Sequence, residues 1–127
     1  MTESTLRIIE AIKSVPRGKV SSYRDIALAA GLTNGARQTV RVLHSMSRKL
    51  ALPWHRIIRA DGKIALREGE GRELQMELLR SEGVDVSPDG RVDMKFFIAS
   101  GGMDAAVSKA LAGVLESYPT DSTKLLS

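Results

Sequence analysis

The sequence predicts a single α+β domain, mainly helical, with a winged-helix-like or helix-turn-helix unit and small β-hairpins. Two segments with apolar residues at helical spacing flank a short turn at residues 31–34, which is the outline of a helix-turn-helix. Paired apolar residues on both sides of residues 61–62 and of residues 87–90 indicate two hairpins. The length of 127 residues suits one compact domain with a buried core.

The first helix is expected over residues 3–14. Leu6, Ile9 and Ile12 recur there at helical spacing, and Pro16 with Gly18 ends the pattern. An amphipathic helix of this kind buries one face, so these three residues are predicted to belong to the core.

The second and third helices form the predicted helix-turn-helix. Ser22 is a favourable N-cap with Asp25 three residues later, and Gly31 ends the second helix. Thr33 or Asn34 is expected to cap the third helix, which runs to about residue 48. Three apolar residues of this helix are expected to face the core: Val40, Leu43 and Met46.

A basic segment overlaps the third helix. Residues 26–60 contain no acidic residue, and six basic residues lie in the same stretch: Arg37, Arg41, Arg48, Lys49, Arg56 and Arg59. Charge of one sign over such a length points to a polyanion, and the helix-turn-helix outline favours DNA as that polyanion. From charge alone, the alternative is a solvated helix face that lacks acidic residues.

The remaining elements are short. Ile57-Ile58 and residues 64–66 flank Asp61-Gly62, which predicts a hairpin with a type I′ turn. A fourth helix is expected over residues 72–82, capped by Gly83, with three leucines on its buried face: Leu74, Leu78 and Leu79. Residues 84–86 and 91–93 predict a second hairpin.

The predicted domain ends near residue 97, and residues 98–127 differ in character. The segment begins with Ser100-Gly101-Gly102, which is typical of a linker. Apolar residues at helical spacing from Met103 to Leu115 predict an appended amphipathic helix, and residues 117–127 predict a frayed tail.

Composition excludes several kinds of site. The chain has no cysteine, which removes disulfides, thiolate metal sites and cysteine nucleophiles together. The two histidines, His44 and His55, are too far apart for a zinc pair on one helix, so neither metal nor cofactor is expected. No apolar run approaches the ~20 residues of a membrane span, and no signal peptide is visible, so a cytoplasmic protein without membrane contact is expected.

Three short motifs resemble those of one protein family. They are Ser22-Tyr23 within residues 16–23, Ala36-Arg37, and Pro53-Trp54-His55-Arg56. The chain resembles the C-terminal DNA-binding domain of the O6-alkylguanine-DNA alkyltransferases over residues 5–97, and it is most similar to the alkyltransferase-like proteins. In the enzymes a nucleophilic cysteine stands between the proline and the histidine, where this chain has Trp54.

The resemblance implies roles for individual residues. Arg37 would be the finger that fills the space left by a flipped base, and the helix over residues 35–48 would lie in the minor groove. A lesion pocket would be formed by Tyr23, Pro53, Trp54, His55 and Arg67. Contacts to the DNA backbone would come from Ser22, Thr33, Asn34, Gln38 and Arg41.

Two further residues match the catalytic apparatus of the enzymes. His55 and Glu82 correspond to the pair that activates the cysteine, and Met46 replaces a structural asparagine. With no thiol to deprotonate, His55 and Glu82 are expected to act structurally, by holding the loop through hydrogen bonds.

The resemblance therefore predicts a monomeric, non-enzymatic protein. It would bind O6-alkylguanine in duplex DNA, flip the nucleotide without transferring the alkyl group, and flag the lesion for nucleotide-excision repair. A helix-turn-helix transcription regulator is the first alternative, and it would require sequence specificity and usually dimer symmetry. A hydrolase using His55 and Glu82 is the second, although no second acid, nucleophile or metal set accompanies them.

Overall fold

The computed structural model describes residues 1–98 of the chain. Four helices and one pair of short strands follow one another in the order α1 (Glu3–Lys13), β1 (Ser21–Ser22), α2 (Tyr23–Ala29), α3 (Ala36–Leu50), β2 (Ile57–Ile58) and α4 (Arg72–Ser81). The predicted α+β class is confirmed. The appended helix and tail predicted after residue 98 lie outside the described residues.

Helix α1 contributes one face to the core of the domain. The Thr2 side chain accepts a hydrogen bond from the backbone N–H of Thr5, which caps the N-terminus. The predicted apolar face is buried as expected and contributes a large share of the core: Leu6, Ile8, Ile9, Ala11 and Ile12.

The helix-turn-helix is formed by α2 and α3, and its first cap is confirmed. The Ser22 side chain accepts from the backbone N–H of Asp25 at 3.0 Å. Gly35 ends the turn and is the N-cap residue of α3. A larger residue would not fit at this position. A Cβ there would lie 2.8 Å from the Cβ of Leu32 and 3.0 Å from that of Ala27.

Two details of α3 were wrongly predicted. Neither Thr33 nor Asn34 caps the helix, because Gly35 occupies the N-cap and no side chain accepts a hydrogen bond there. Val40 does not face the core but is 47 % exposed, since the buried face runs through Thr39 and Val42. The predicted inward residues Leu43 and Met46 do pack, partly buried, against the core.

The first predicted hairpin is also wrong in its pairing. Ile57 and Ile58 pair in parallel with Ser21 and Ser22, far away in the chain, rather than with residues 64–66. The chain does turn at residues 59–62, closed by a hydrogen bond from Gly62 N–H to the Arg59 carbonyl. A type I′ turn needs two residues with positive φ, and of the turn residues only Gly62 has one.

The second hairpin and α4 are largely as predicted. Val86 and Val92 form an antiparallel bridge around the turn at residues 87–90. Helix α4 ends one residue before the prediction and buries Gln75, Met76 and Leu79. The prediction that Leu74 faces the core is wrong, because its side chain is 51 % exposed.

Two apolar clusters meet at the strand pair. The first cluster joins α1, α2 and α3 and includes Ile57, whereas the second joins α4 to the second hairpin and includes Ile58. Because neighbouring residues of a strand point to opposite faces, β2 contributes one isoleucine to each cluster. The strand pair therefore holds the helix-turn-helix against the α4 half.

Candidate nucleic-acid interface

The exposed basic side chains of α2 and α3 have no acidic partner within residues 1–98. They are Arg24, Arg37, Arg41, Arg48 and Lys49. Two exposed arginines elsewhere do have an acidic partner, Arg7 with Glu3 and Arg59 with Asp61. An uncompensated positive surface attracts phosphates at long range, so the surface formed by α2 and α3 is suited to a nucleic acid.

The N-terminus of α3 opens onto a shallow groove of about 600 Å³. The groove is lined by residues of α2, the turn and α3: Arg24, Ala27, Thr33, Asn34, Gly35, Ala36 and Arg37. No side chain caps this helix end, so its first backbone N–H groups and its positive dipole end face the groove. Arg37, Thr33 and Asn34 are exposed beside an end that favours anions.

Two of the residues predicted to contact the DNA backbone make hydrogen bonds within the protein. Ser22 is fully buried and its hydroxyl caps α2, which leaves no surface for a phosphate. The Gln38 amide donates to the Ser4 hydroxyl at 2.9 Å, so this side chain joins α3 to α1. Arg41 is exposed.

Tyr23 begins α2 and packs half-buried against the helical core. Burial raises the pKa of its phenol, so the side chain is neutral at physiological pH. A neutral, partly apolar ring can contact a sugar–phosphate backbone without charge repulsion.

Trp54 lies in a single 3-10 turn, Trp54–Arg56, between α3 and β2. The half-buried indole meets the His55 ring edge-on, with centroids 6.2 Å apart and ring planes at 84°. Pro53 precedes the turn with φ −76°. Arg67 is exposed between the hairpin turn and α4, and within residues 1–98 its guanidinium makes no cation–π contact with Trp54.

Glu82, at the end of α4, holds this turn in place. Its carboxylate accepts from Arg56 Nε at 3.0 Å and from an Arg56 terminal nitrogen at 2.8 Å, and His55 Nε2 lies 2.8 Å away. The backbone N–H of Gly18 also donates to it, at 3.2 Å. The turn is therefore fastened to α4 and to the segment before β1 by one carboxylate.

The acidity of Glu82 reflects this arrangement. Burial of the side chain, which is 5 % exposed, raises its pKa. The hydrogen bonds from Arg56, His55 and Gly18 outweigh burial and lower the pKa of Glu82 to about 2. The carboxylate is thus ionised across the physiological range and remains a fixed acceptor.

Gln75 supports the same turn from the start of α4. Its side-chain nitrogen donates to the His55 carbonyl at 3.1 Å and to the Ile57 carbonyl at 3.2 Å. Two kinds of site are absent from residues 1–98. No cluster of three metal-ligating side chains is present there. None of the helices there has the length and the apolar character of a membrane span.

Residues 3–84 match the family described as 6-O-methylguanine DNA methyltransferase, DNA binding domain. The chain belongs to this family. The DNA base-flipping protein of Vibrio parahaemolyticus is 35 % identical over 95 residues, which cover 75 % of this chain and 94 % of that protein. Alkyltransferase-like protein 1 of Schizosaccharomyces pombe is 33 % identical over 87 residues, covering 68 % and 81 %.

A solved structure supports the alkyltransferase-like branch of the family. It is S. pombe Atl1 in complex with damaged DNA containing O6-carboxymethylguanine, with a TM-score of 0.70 and 28 % identity. The match covers 78 % of this chain and 97 % of that one. The resemblance inferred from the motifs around Tyr23, Arg37 and Trp54 is thus confirmed at the level of the family.

The alkyltransferase-like motifs locate some site residues and miss others. The pairing of His55 with Glu82 is present, as the resemblance implied. The bidentate contact of Arg56 and the two bonds from Gln75 were not predicted. Gln75 did carry a signal, because it lies four and seven residues before Leu79 and Glu82 and thus on the same helix face.

Proposed function

We propose that this protein recognises O6-alkylguanine in duplex DNA and leaves the alkyl group in place. The observation that carries the proposal is Trp54, which occupies the position of the nucleophile in a chain without any cysteine. Alkyl transfer needs a thiolate or a comparable nucleophile, and indole is neither. The names of the relatives, a base-flipping protein and an alkyltransferase-like protein, support a role without catalysis.

Recognition requires the nucleotide to leave the stack, which costs a few kcal/mol and costs least for a base that pairs poorly. Arg37, exposed in the first turn of α3, would occupy the vacated space, because its planar guanidinium stacks on bases and donates hydrogen bonds. The neutral ring of Tyr23 would contact the neighbouring backbone.

The extruded guanine would lie against Trp54. Base–aromatic stacking contributes about 1–3 kcal/mol per base in comparable contacts. Arg67 is exposed and unpaired in the part of the chain that the structure describes, so it is free to approach the base as a cation. The fixed turn around Trp54 supports this arrangement, since a platform held in one orientation loses little entropy on binding.

A protein that binds a lesion without repairing it must pass it on. Nucleotide-excision-repair proteins are the partners that the family resemblance implies, and a monomer on DNA is the species they would meet.

The first experiment is a fluorescence titration with two duplexes that differ only in one O6-methylguanine. Trp54 is the sole tryptophan of the chain, so its quenching reports directly on the pocket. Salt must be fixed near the physiological level, because phosphate contacts make affinity salt-dependent. Mass analysis of the recovered DNA shows whether the methyl group remains.

The expected result is about tenfold tighter binding of the methylated duplex, equivalent to about 1.4 kcal/mol, with quenching of Trp54 and intact O6-methylguanine. Equal affinities with unquenched Trp54 would overturn the proposal in favour of a general DNA binder or a regulator. Loss of the methyl group would overturn the non-enzymatic part.

A further inference from the structure

Gln75 is a polar residue in the centre of the domain. Its side chain is 2 % exposed, and it lies in α4 next to Met76, which belongs to the second apolar cluster. Its oxygen Oε1 is buried and accepts no hydrogen bond from the described residues. A buried amide with an unsatisfied oxygen is costly, so the donor side of the amide must perform a task that an apolar residue could not.

The donor side binds two carbonyls on either side of Arg56. One belongs to His55, inside the 3-10 turn, and the other to Ile57, the first residue of β2. Among the described strands, β2 pairs only with β1, so the Gln75 amide supplies a donor to a backbone that has no second strand beside it. Reversing the amide would place Oε1 against two carbonyl oxygens, which excludes that orientation.

Gln75 and Glu82 bind different parts of the same turn. They are seven residues, or two helical turns, apart on one face of α4. Glu82 binds the side chains of His55 and Arg56, whereas Gln75 binds the backbone. Side-chain contacts alone leave the peptide planes free to tilt, and the Gln75 bonds remove that freedom one residue after Trp54.

We propose that Gln75 is a positioning residue for damage recognition: its carboxamide fixes the backbone of the Trp54 turn and thereby sets the preference for alkylated over intact duplex. This inference rests on the proposed function. Gln75 is buried in α4, whereas the exposed basic side chains belong to α2 and α3, so its loss should spare the affinity for undamaged DNA. It should reduce only the part of the affinity that depends on the orientation of Trp54.

The test uses Gln75→Leu, which keeps the size of the side chain and removes both donors, with Gln75→Asn as a second variant. Asparagine keeps the amide but is one methylene shorter and cannot reach both carbonyls. Glu77→Gln is the matched control, because Glu77 lies two residues further along α4 and is exposed. Each protein is titrated with the methylated and the intact duplex, and the anisotropy decay of Trp54 is recorded without DNA.

We expect Gln75→Leu and Gln75→Asn to lower the ratio of the two affinities by about fivefold, as expected for loss of about 1 kcal/mol of hydrogen bonding. The intact duplex should bind within about twofold of the parent, a change of about 0.4 kcal/mol, and Glu77→Gln should change neither value. Trp54 should show a larger fast component of anisotropy decay in both Gln75 variants.

An unchanged affinity ratio in a folded Gln75 variant would overturn the inference. So would equal losses on both duplexes, which would indicate a general structural role. If Gln75→Leu does not fold, the affinity ratio and the Trp54 anisotropy decay of Gln75→Asn test the inference by the same criteria. A parent protein without any preference for the methylated duplex would instead overturn the proposed function, and in that case unchanged Trp54 anisotropy in the variants would reject the positioning role as well.

Discussion

His55 Nε2 lies 2.8 Å from Glu82 Oε2, and the same carboxylate receives two bonds from the guanidinium of Arg56. In an enzyme with a thiol at position 54, such a pair could assist proton removal. Here it joins the end of α4 to the turn that presents an indole. Because the chain has no thiol for the pair to deprotonate, we expect its role here to be structural.

Replacing Glu82 by glutamine should destabilise the fold strongly. The substitution leaves the Arg56 guanidinium, whose side chain is 17 % exposed, without a counter-charge, at an expected cost of about 3 kcal/mol in the free energy of unfolding. Urea denaturation measures this loss. Asp61→Asn is the control, because the exposed pair of Asp61 with Arg59 should contribute little to stability. Similar losses in both variants would contradict the structural role of Glu82.

Stability should fall in acid, and Glu82 should dominate the effect. Its pKa is about 2 in the folded protein against 4.5 ordinarily, so the unfolded chain takes up the proton first as pH decreases. The contribution, about 3 kcal/mol, is fully present above about pH 5 and is lost as pH falls towards about 2. Denaturation curves at several pH values test this, and Glu82→Gln should flatten the acid limb. An acid limb as steep as that of the parent would contradict the assignment.

Arg37 and Arg41 should differ in the kind of affinity that they contribute. Arg37→Ala should weaken binding of the methylated duplex by about tenfold, or about 1.4 kcal/mol, and affect the intact duplex less. Arg41→Ala should weaken both duplexes equally and lower the slope of log affinity against log salt by about one, as a phosphate contact does. Titrations at three salt concentrations separate the two patterns, and equal losses on both duplexes for Arg37→Ala would argue against a finger.

Replacing Ala51 by glycine should stabilise the protein. It follows α3 with φ +50°, the left-handed conformation, and within residues 1–98 no other non-glycine residue has positive φ. Ala51→Gly should raise the free energy of unfolding by about 1 kcal/mol. Ala65→Gly, at an exposed position without positive φ, should lower it slightly through the entropy of the unfolded chain. A decrease in both variants would show that Ala51 is not strained.

The sequence predicts the helices well because their signals are local. The Ser22 cap and the apolar spacing of α1 lie within one or two turns of the residues they organise, and both are present as expected. The prediction fails where a segment pairs with another that is distant in the sequence. Ile57 and Ile58 look like half of a hairpin, yet they pair with Ser21 and Ser22, which no local pattern reveals.

The candidate site was predicted to a similar extent. Family motifs identify Trp54 and the pairing of His55 with Glu82, because these positions are fixed by chemistry. The contributions of Arg56 and Gln75 depend on how α4 approaches the turn, which spacing alone does not determine. Val40 shows the same limit, since the rotation of α3 about its axis decides which residues are exposed.

The division of the core into two clusters has a consequence for how such proteins diverge. The helix that would enter DNA packs in the first cluster through Val42, whereas α4, which holds the turn at position 54, packs in the second through Leu79. Because the two clusters bury different residues, we expect mutations in one cluster to disturb the packing of the other only slightly. An ancestral chain could thus exchange a reactive residue at position 54 for an inert one while its DNA-binding helix stayed the same. Such an exchange would convert a repair protein into one that only detects damage.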